Sequence, residues 1–100
     1  IVLVTILNFK IYIYSISVHN AKGWVNLLQI CQLALLTVEF LKLMITLYEN
    51  GKINHDLFYK GCKLKIHFIE NVMAYIPSEE KREEAGLVLD KCKNLINVCC

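Results

Sequence analysis

The residues of this chain best suited to chemistry are its five cysteines and three histidines, the usual ligands and nucleophiles of metal and thiol centres. Cys31, Cys62 and Cys92 are spread over three separate apolar segments, and no Cys-x-x-Cys pair occurs. His67 follows Cys62 by five residues, whereas neighbouring positions on a helix are three or four apart. Unpaired cysteine in an apolar segment is typical of a small buried hydrophobe. The sequence therefore predicts buried, unpaired thiols at these three positions, with no metal or other cofactor.

Cys99 and Cys100 form a different group, because they lie at the end of the sequence, where residues are usually exposed. Adjacent cysteines bond to each other only with strain, so we expect an intermolecular link on oxidation rather than a structural bridge. An odd number of cysteines without framework spacing favours a reducing compartment. We therefore expect a cytoplasmic protein.

Glu39 and Lys42 are a second pair with chemical potential, because they lie three residues apart in a strongly apolar segment. Inside a membrane such a pair would be functional by default. At the surface of a helical bundle it is an ordinary local ion pair, and we favour this interpretation because the later segments are amphipathic. No pattern supplies a nucleophile with a base and a group to orient it. The sequence thus predicts no catalytic residue and a protein that is not an enzyme.

Charge is distributed unevenly along the chain. Residues 1–48 contain four charged side chains, and residues 49–100 contain the other sixteen, eight of each sign. The net charge of +2 is too small for the basic stripe that nucleic-acid binding requires. An apolar share of 56% excludes a disordered chain, which lacks apolar surface to bury. The first half of the protein is therefore the part that needs to be covered.

The range 24–49 is free of Gly and Pro, rich in Leu and apolar on most faces, which predicts a long central helix. Asn50-Gly51 then ends this helix with a left-handed glycine, and Asn54 can cap the next helix. The ranges 55–76 and 79–98 have apolar residues at spacings of three and four, which predicts two amphipathic helices. The predicted apolar stripe of the first of these consists of Leu57, Phe58, Cys62, Leu64, Ile66, Phe68, Ile69, Val72, Met73 and Ile76.

Residues 1–18 are open to two interpretations. Twelve of the eighteen are Val, Ile, Thr, Phe or Tyr, which suit a short β-ribbon. A helix of this length would match the three that follow, and we favour it because three helices need a fourth element to enclose their core. The fold predicted for residues 1–100 is a single all-α domain, a small up-and-down helical bundle of three clear helices plus an N-terminal helix or short β-ribbon.

The apolar first half predicts a small non-enzymatic interaction or regulatory protein, either a homo-oligomer or a protein with a helical partner. Two amphipathic helices can cover only part of it, and soluble monomers rarely expose an apolar patch larger than a few hundred Å². The predicted contact residues are Ile11, Ile13, Leu28, Leu35 and Leu36. The alternative is a small integral membrane protein with spans near 1–18 and 24–48.

Overall fold

The computed structural model describes the backbone of residues 2–20 and 24–97, and the side chains of residues 2–13 and 30–97. The described part of the chain consists of four α-helices and one short 3-10 turn, without strands. The elements in chain order are α1 (Val2–Asn20), α2 (Trp24–Glu49), α3 (His55–Val72), the 3-10 turn (Met73–Tyr75) and α4 (Glu79–Asn97). The all-α bundle is confirmed, and residues 1–18 belong to a helix from Val2 onwards rather than to a β-ribbon.

The ends of α2 and α3 follow from local backbone chemistry. Gly51 has a φ of 73°, and the amides of Gly51 and Lys52 donate to the carbonyls of Tyr48 and Leu47 at 3.1 and 2.9 Å. This pair of bonds is the Schellman arrangement, which satisfies the last carbonyls of a helix and requires a left-handed residue. The Asn54 side chain then accepts a hydrogen bond from the Leu57 amide at 2.8 Å and caps α3.

Helix α2 is the central element, because it contacts α1, α3 and α4. The molecule measures 45 × 27 × 18 Å, so its shortest dimension is about two helix diameters. The main core lies between α2, α3 and α4. Its fully buried members are Ala34, Leu41, Phe58, Cys62, Ile69, Ala85 and Cys92.

Some predicted core positions of α3 are wrong. Leu57 and Leu64 are exposed, at 53% and 73%. Phe68 and Met73 are half-buried and pack against the core, as the predicted stripe requires. At 100° per residue, Leu64 lies about 140° around the helix from the centre of the buried stripe. Leu64 lies at the edge of a small cavity that Ile11 of α1 and Phe68 also line, so it is covered only in part. Cys31, also predicted to be buried, is half-buried at the edge of the core.

Candidate functional site

Helix α1 joins the bundle through one face only. Among the described residues its backbone comes close to α2 and to no other helix. Its half-buried side chains recur at spacings of three and four, the pattern of one helical face. The members of this inner face are Val4, Leu7 and Ile11. The inner face thus anchors α1 to α2 and leaves the rest of α1 uncovered.

A second apolar face lies on the opposite side of α1. Four side chains spaced by four, three and four residues are exposed: Val2 72%, Ile6 50%, Phe9 63% and Ile13 46%. At 100° per residue this outer stripe is centred about 200° from the inner face, although Phe9 and Ile13 also reach a groove that α2 lines. Leu3 and Tyr12 flank it, at 67% and 62% exposure. Helix α1 consequently presents two apolar faces, of which the bundle covers one.

A groove of about 520 Å³ runs along the junction of α1 and α2, and the first turns of α4 form part of its wall. Its apolar lining consists of Phe9, Ile13, Leu35, Leu36 and Val38. Its polar lining consists of Lys10, Gln32, Glu39, Lys81 and Glu84. The volume is within the usual range of ligand pockets, and apolar walls with a charged edge fit an amphipathic partner.

Lys42 organises the charges beside this groove. Its Nζ lies 3.0 Å from Glu39 Oε1 and 2.9 Å from Glu84 Oε1, so one lysine joins α2 to α4. The hydrogen bonds to Glu84 and Glu39 raise the pKa of Lys42 above its ordinary value. The bond from Lys42 also lowers the pKa of the Glu84 carboxyl. The pair predicted as a local ion pair is thus part of a three-residue cluster at the surface of the bundle.

The predicted contact residues are divided between these features. Ile13, Leu35 and Leu36 line the groove together. Ile11 lies on the inner face of α1 and packs against the core instead. Leu28 lies outside the described side chains. Phe9 of the outer stripe was not among the predicted residues, although its spacing of three and four residues from Ile6 and Ile13 is a signal that could have identified it.

The thiols of the described part of the chain lie inside the bundle or at the edge of its core. Cys62 and Cys92 are fully buried between α3 and α4, and they are not joined by a disulfide. A hydrogen bond between them raises the pKa of the Cys62 thiol and lowers that of Cys92. The Cys31 thiol donates to the Tyr75 carbonyl at 2.8 Å. The predicted exposed pair, Cys99 and Cys100, lies outside the described residues.

The lysines of α3 are occupied by local contacts rather than gathered into one anion-binding patch. One forms an ion pair within its own helix, and the other two lie over aromatic rings. The pairs are Lys60 with Asp56 at 3.1 Å, Lys63 with the Tyr59 ring at 5.4 Å and Lys65 with the Phe40 ring at 4.5 Å. Burial lowers the pKa of Lys65.

One described helical segment, Ile30–Glu49 of α2, is long and apolar enough to cross a membrane, with a mean hydropathy of 1.8. In the bundle, 44% of its most apolar stretch is buried by the other helices. The core helix of a soluble bundle has the same length and composition. Comparisons with protein-family models, with curated proteins and with solved structures find no match to this chain.

Proposed function

We propose that this protein is a small non-enzymatic interaction protein that associates with a second copy of itself through the outer face of α1. The observation that supports the proposal is the exposed outer stripe, which lies opposite the face that already packs on α2. An apolar stripe in water is stabilised when another apolar surface covers it. Identical patches paired about a two-fold axis are the commonest arrangement for such surfaces.

The exposed area of α1 is of the size that a dimer needs. The outer stripe with Leu3 and Tyr12 presents on the order of 600 Å², taking about 200 Å² for a fully exposed aromatic side chain and about 150 Å² for the smaller aliphatic ones. Standard interfaces use roughly 800 Å² from each partner. The surface therefore supports a dimer at the lower end of the standard size, in which the groove beside Phe9 and Ile13 extends the contact.

The solution mass tests this proposal. Sedimentation at micromolar concentration should give about twice 11.6 kDa for the unchanged chain. Phe9→Glu places a charge in the middle of the stripe and should return the mass to that of the monomer. Phe9 is 63% exposed within one copy, so circular dichroism should show the same helix content as in the unchanged chain.

Leu87→Glu is the matched control, because Leu87 is a similarly exposed apolar residue on α4, at 71%. This variant should keep the dimer mass, since the cavity beside Leu87 is lined by α2 and α4 and by no residue of α1. A monomer mass for the unchanged chain in detergent-free buffer contradicts the proposal. Loss of the dimer in both variants contradicts the assignment of the contact to α1.

We assign the protein to the reducing cytoplasm as part of this proposal. The described cysteines Cys31, Cys62 and Cys92 are free. Free thiols persist where the cell keeps them reduced. When this chain is fused to a fluorescent protein and imaged in cells, we expect the fluorescence to fill the cytoplasm and to be absent from organelles.

A membrane protein is the second candidate, favoured by the apolar length of Ile30–Glu49. Twenty residues of helix span about 30 Å, the thickness of the hydrocarbon core. Burial of α2 by three other helices favours the soluble bundle instead. Cell fractionation separates the two candidates, since a membrane protein stays in the pellet after a carbonate wash and requires detergent for extraction.

A further inference from the structure

The geometry points to a binding site for one fatty acid in the groove between α1, α2 and α4, with the carboxylate between Lys10 and Lys81. This inference goes beyond the proposed self-association and does not depend on it, because every lining residue belongs to one copy of the chain. The exposed residues Val2, Leu3 and Ile6 lie outside this groove, so a ligand there leaves them available to a second copy. Apolar walls with a few charged groups are the usual form of a site for a small molecule.

The charges of the groove favour an anion. Its two carboxylates, Glu39 and Glu84, accept hydrogen bonds from Lys42 at 3.0 and 2.9 Å, so both already have a cationic partner. In the described part of the chain, no carboxylate forms an ion pair with Lys10 or Lys81. Lys81 is near enough to lower the pKa of Glu84, but the bond from Lys42 has the larger effect. The three lysines exceed the two glutamates by one positive charge, which one carboxylate of a ligand balances.

Lys10 and Lys81 lie at the same level of the bundle. Two ion pairs join α2 to α4, namely Lys42 with Glu84 and Glu49 with Lys91. These pairs are separated by seven residues on both helices, so α2 and α4 run in the same direction and Lys81 is level with Glu39. Lys10 is level with Glu39 too, because these two side chains line both the groove and the cavity beside it. The two lysines therefore reach the groove from different helices at one level, where one carboxylate can accept hydrogen bonds from both.

The apolar part of the groove begins one helical turn from this level and has room for an acyl chain. Along α2 the lining extends from Glu39 back to Gln32, with Leu35 and Leu36 between them. Ile13 of α1 lines the facing wall. Seven residues of helix span about 10 Å. An extended acyl chain, with carbon–carbon bonds of about 1.5 Å, covers this length with about nine carbons. Decanoate therefore fits the groove.

Titration calorimetry with decanoate, kept below its micelle concentration, tests the site. We expect one decanoate per chain, with a dissociation constant on the order of 10–100 μM for a ligand of this size. Decyltrimethylammonium has the same chain length and the opposite charge, and it should bind at least tenfold more weakly. Butyrate keeps the carboxylate but lacks most of the apolar chain, so it should show no measurable binding.

A double variant, Lys10→Gln with Lys81→Gln, removes both cations from the site. It should raise the dissociation constant of decanoate by about 10- to 30-fold, as the loss of two partly exposed ion pairs does. Both lysines are exposed, so circular dichroism should show an unchanged helix content. Lys52→Gln is the matched control, because Lys52 is exposed in the turn after α2, more than about 15 Å from Glu39 along the helix axis. This control should bind decanoate as the unchanged chain does.

Three results would overturn the site. They are no binding of decanoate to the unchanged chain, equal binding of decanoate and decyltrimethylammonium, and the same affinity in the double variant as in the control. Binding to phosphatidylglycerol vesicles without binding to decanoate would assign the two lysines to a lipid surface and also overturn the site. Sedimentation of the same samples tests self-association separately. A monomer mass with decanoate bound contradicts the proposed dimer and supports the site, whereas a dimer mass without decanoate binding does the reverse.

Discussion

Replacing Gly61 with Ala tests the closest approach between α2 and α3. A Cβ at this position would lie 2.6 Å from Cε of Met44, whereas non-bonded carbons are most stable at about 3.5–4.0 Å. Met44 is buried at 4% exposure, so its methyl group has to move within a packed core. Overpacking costs about 1–3 kcal/mol, and a flexible methionine keeps the cost near the lower end.

The higher helix propensity of alanine works in the opposite direction and stabilises the variant. Ala is better than Gly in a helix interior by about 1 kcal/mol. We therefore expect Gly61→Ala to leave the free energy of unfolding unchanged or to lower it by about 1 kcal/mol, the difference between these two effects. Gly86 on α4 is the control, because a Cβ there meets nothing within 4 Å. Gly86→Ala should raise the free energy of unfolding by about 0.5–1 kcal/mol.

Urea unfolding followed by circular dichroism measures both variants, at one protein concentration because the proposed self-association would make stability depend on concentration. A double-mutant cycle with Met44→Leu isolates the contact, since leucine lacks the Cε atom. In that background Gly61→Ala should become stabilising, with a coupling of about 1 kcal/mol. If Gly61→Ala stabilised the unchanged chain as much as Gly86→Ala does, the close packing of Met44 on α3 would be refuted.

Two further predictions concern titration and thiol access. Because Lys42 lowers the pKa of Glu84 below its ordinary value of 4.5, this ion pair contributes stability above that pH, and the contribution is lost as the pH falls through the lowered pKa. The urea midpoint of the unchanged chain should therefore fall between about pH 6 and about pH 3, and the Glu84→Gln variant should show a smaller fall. An equal fall in both proteins would contradict the ion pair. In native protein, thiol reagents should modify the half-buried Cys31 before the buried Cys62 and Cys92. Mass spectrometry of the labelled peptides measures the three rates. Equal rates at the three cysteines would contradict the assigned core.

The boundaries of α2 and α3 could be predicted because their signals are local. The predicted helix end at Asn50-Gly51 is confirmed by the left-handed φ of 73° at Gly51. The predicted cap at Asn54 is confirmed by the hydrogen bond that its side chain accepts from the Leu57 amide. Each signal acts on backbone groups within a few residues, so it does not depend on the rest of the fold. The N-terminal segment could not be assigned as firmly, because its β-branched residues favour strands while its packing on α2 favours a helix.

The candidate site was predicted only in part, for a reason that Ile11 and Ile13 illustrate. Both are apolar and lie two residues apart in one helix, so composition cannot rank them. The structure places Ile11 against the core and leaves Ile13 46% exposed at the groove. Which one is covered depends on the rotation of α1 about its own axis, and the docking of Val4 and Leu7 on α2 fixes that rotation.

The sequence by itself determined the helical segments, their caps and the excess of apolar residues in the first half, because these follow from local backbone chemistry and from residue periodicity. The tertiary structure alone decided which apolar faces are covered. A period of three to four residues shows that Leu64 and Ile69 are apolar positions of one helix, but burial requires a neighbouring element on that side. Ile69 faces the core and Leu64 is 73% exposed, because α2 and α4 pack on the Ile69 side of α3, whereas Leu64 lies only at the edge of a small cavity.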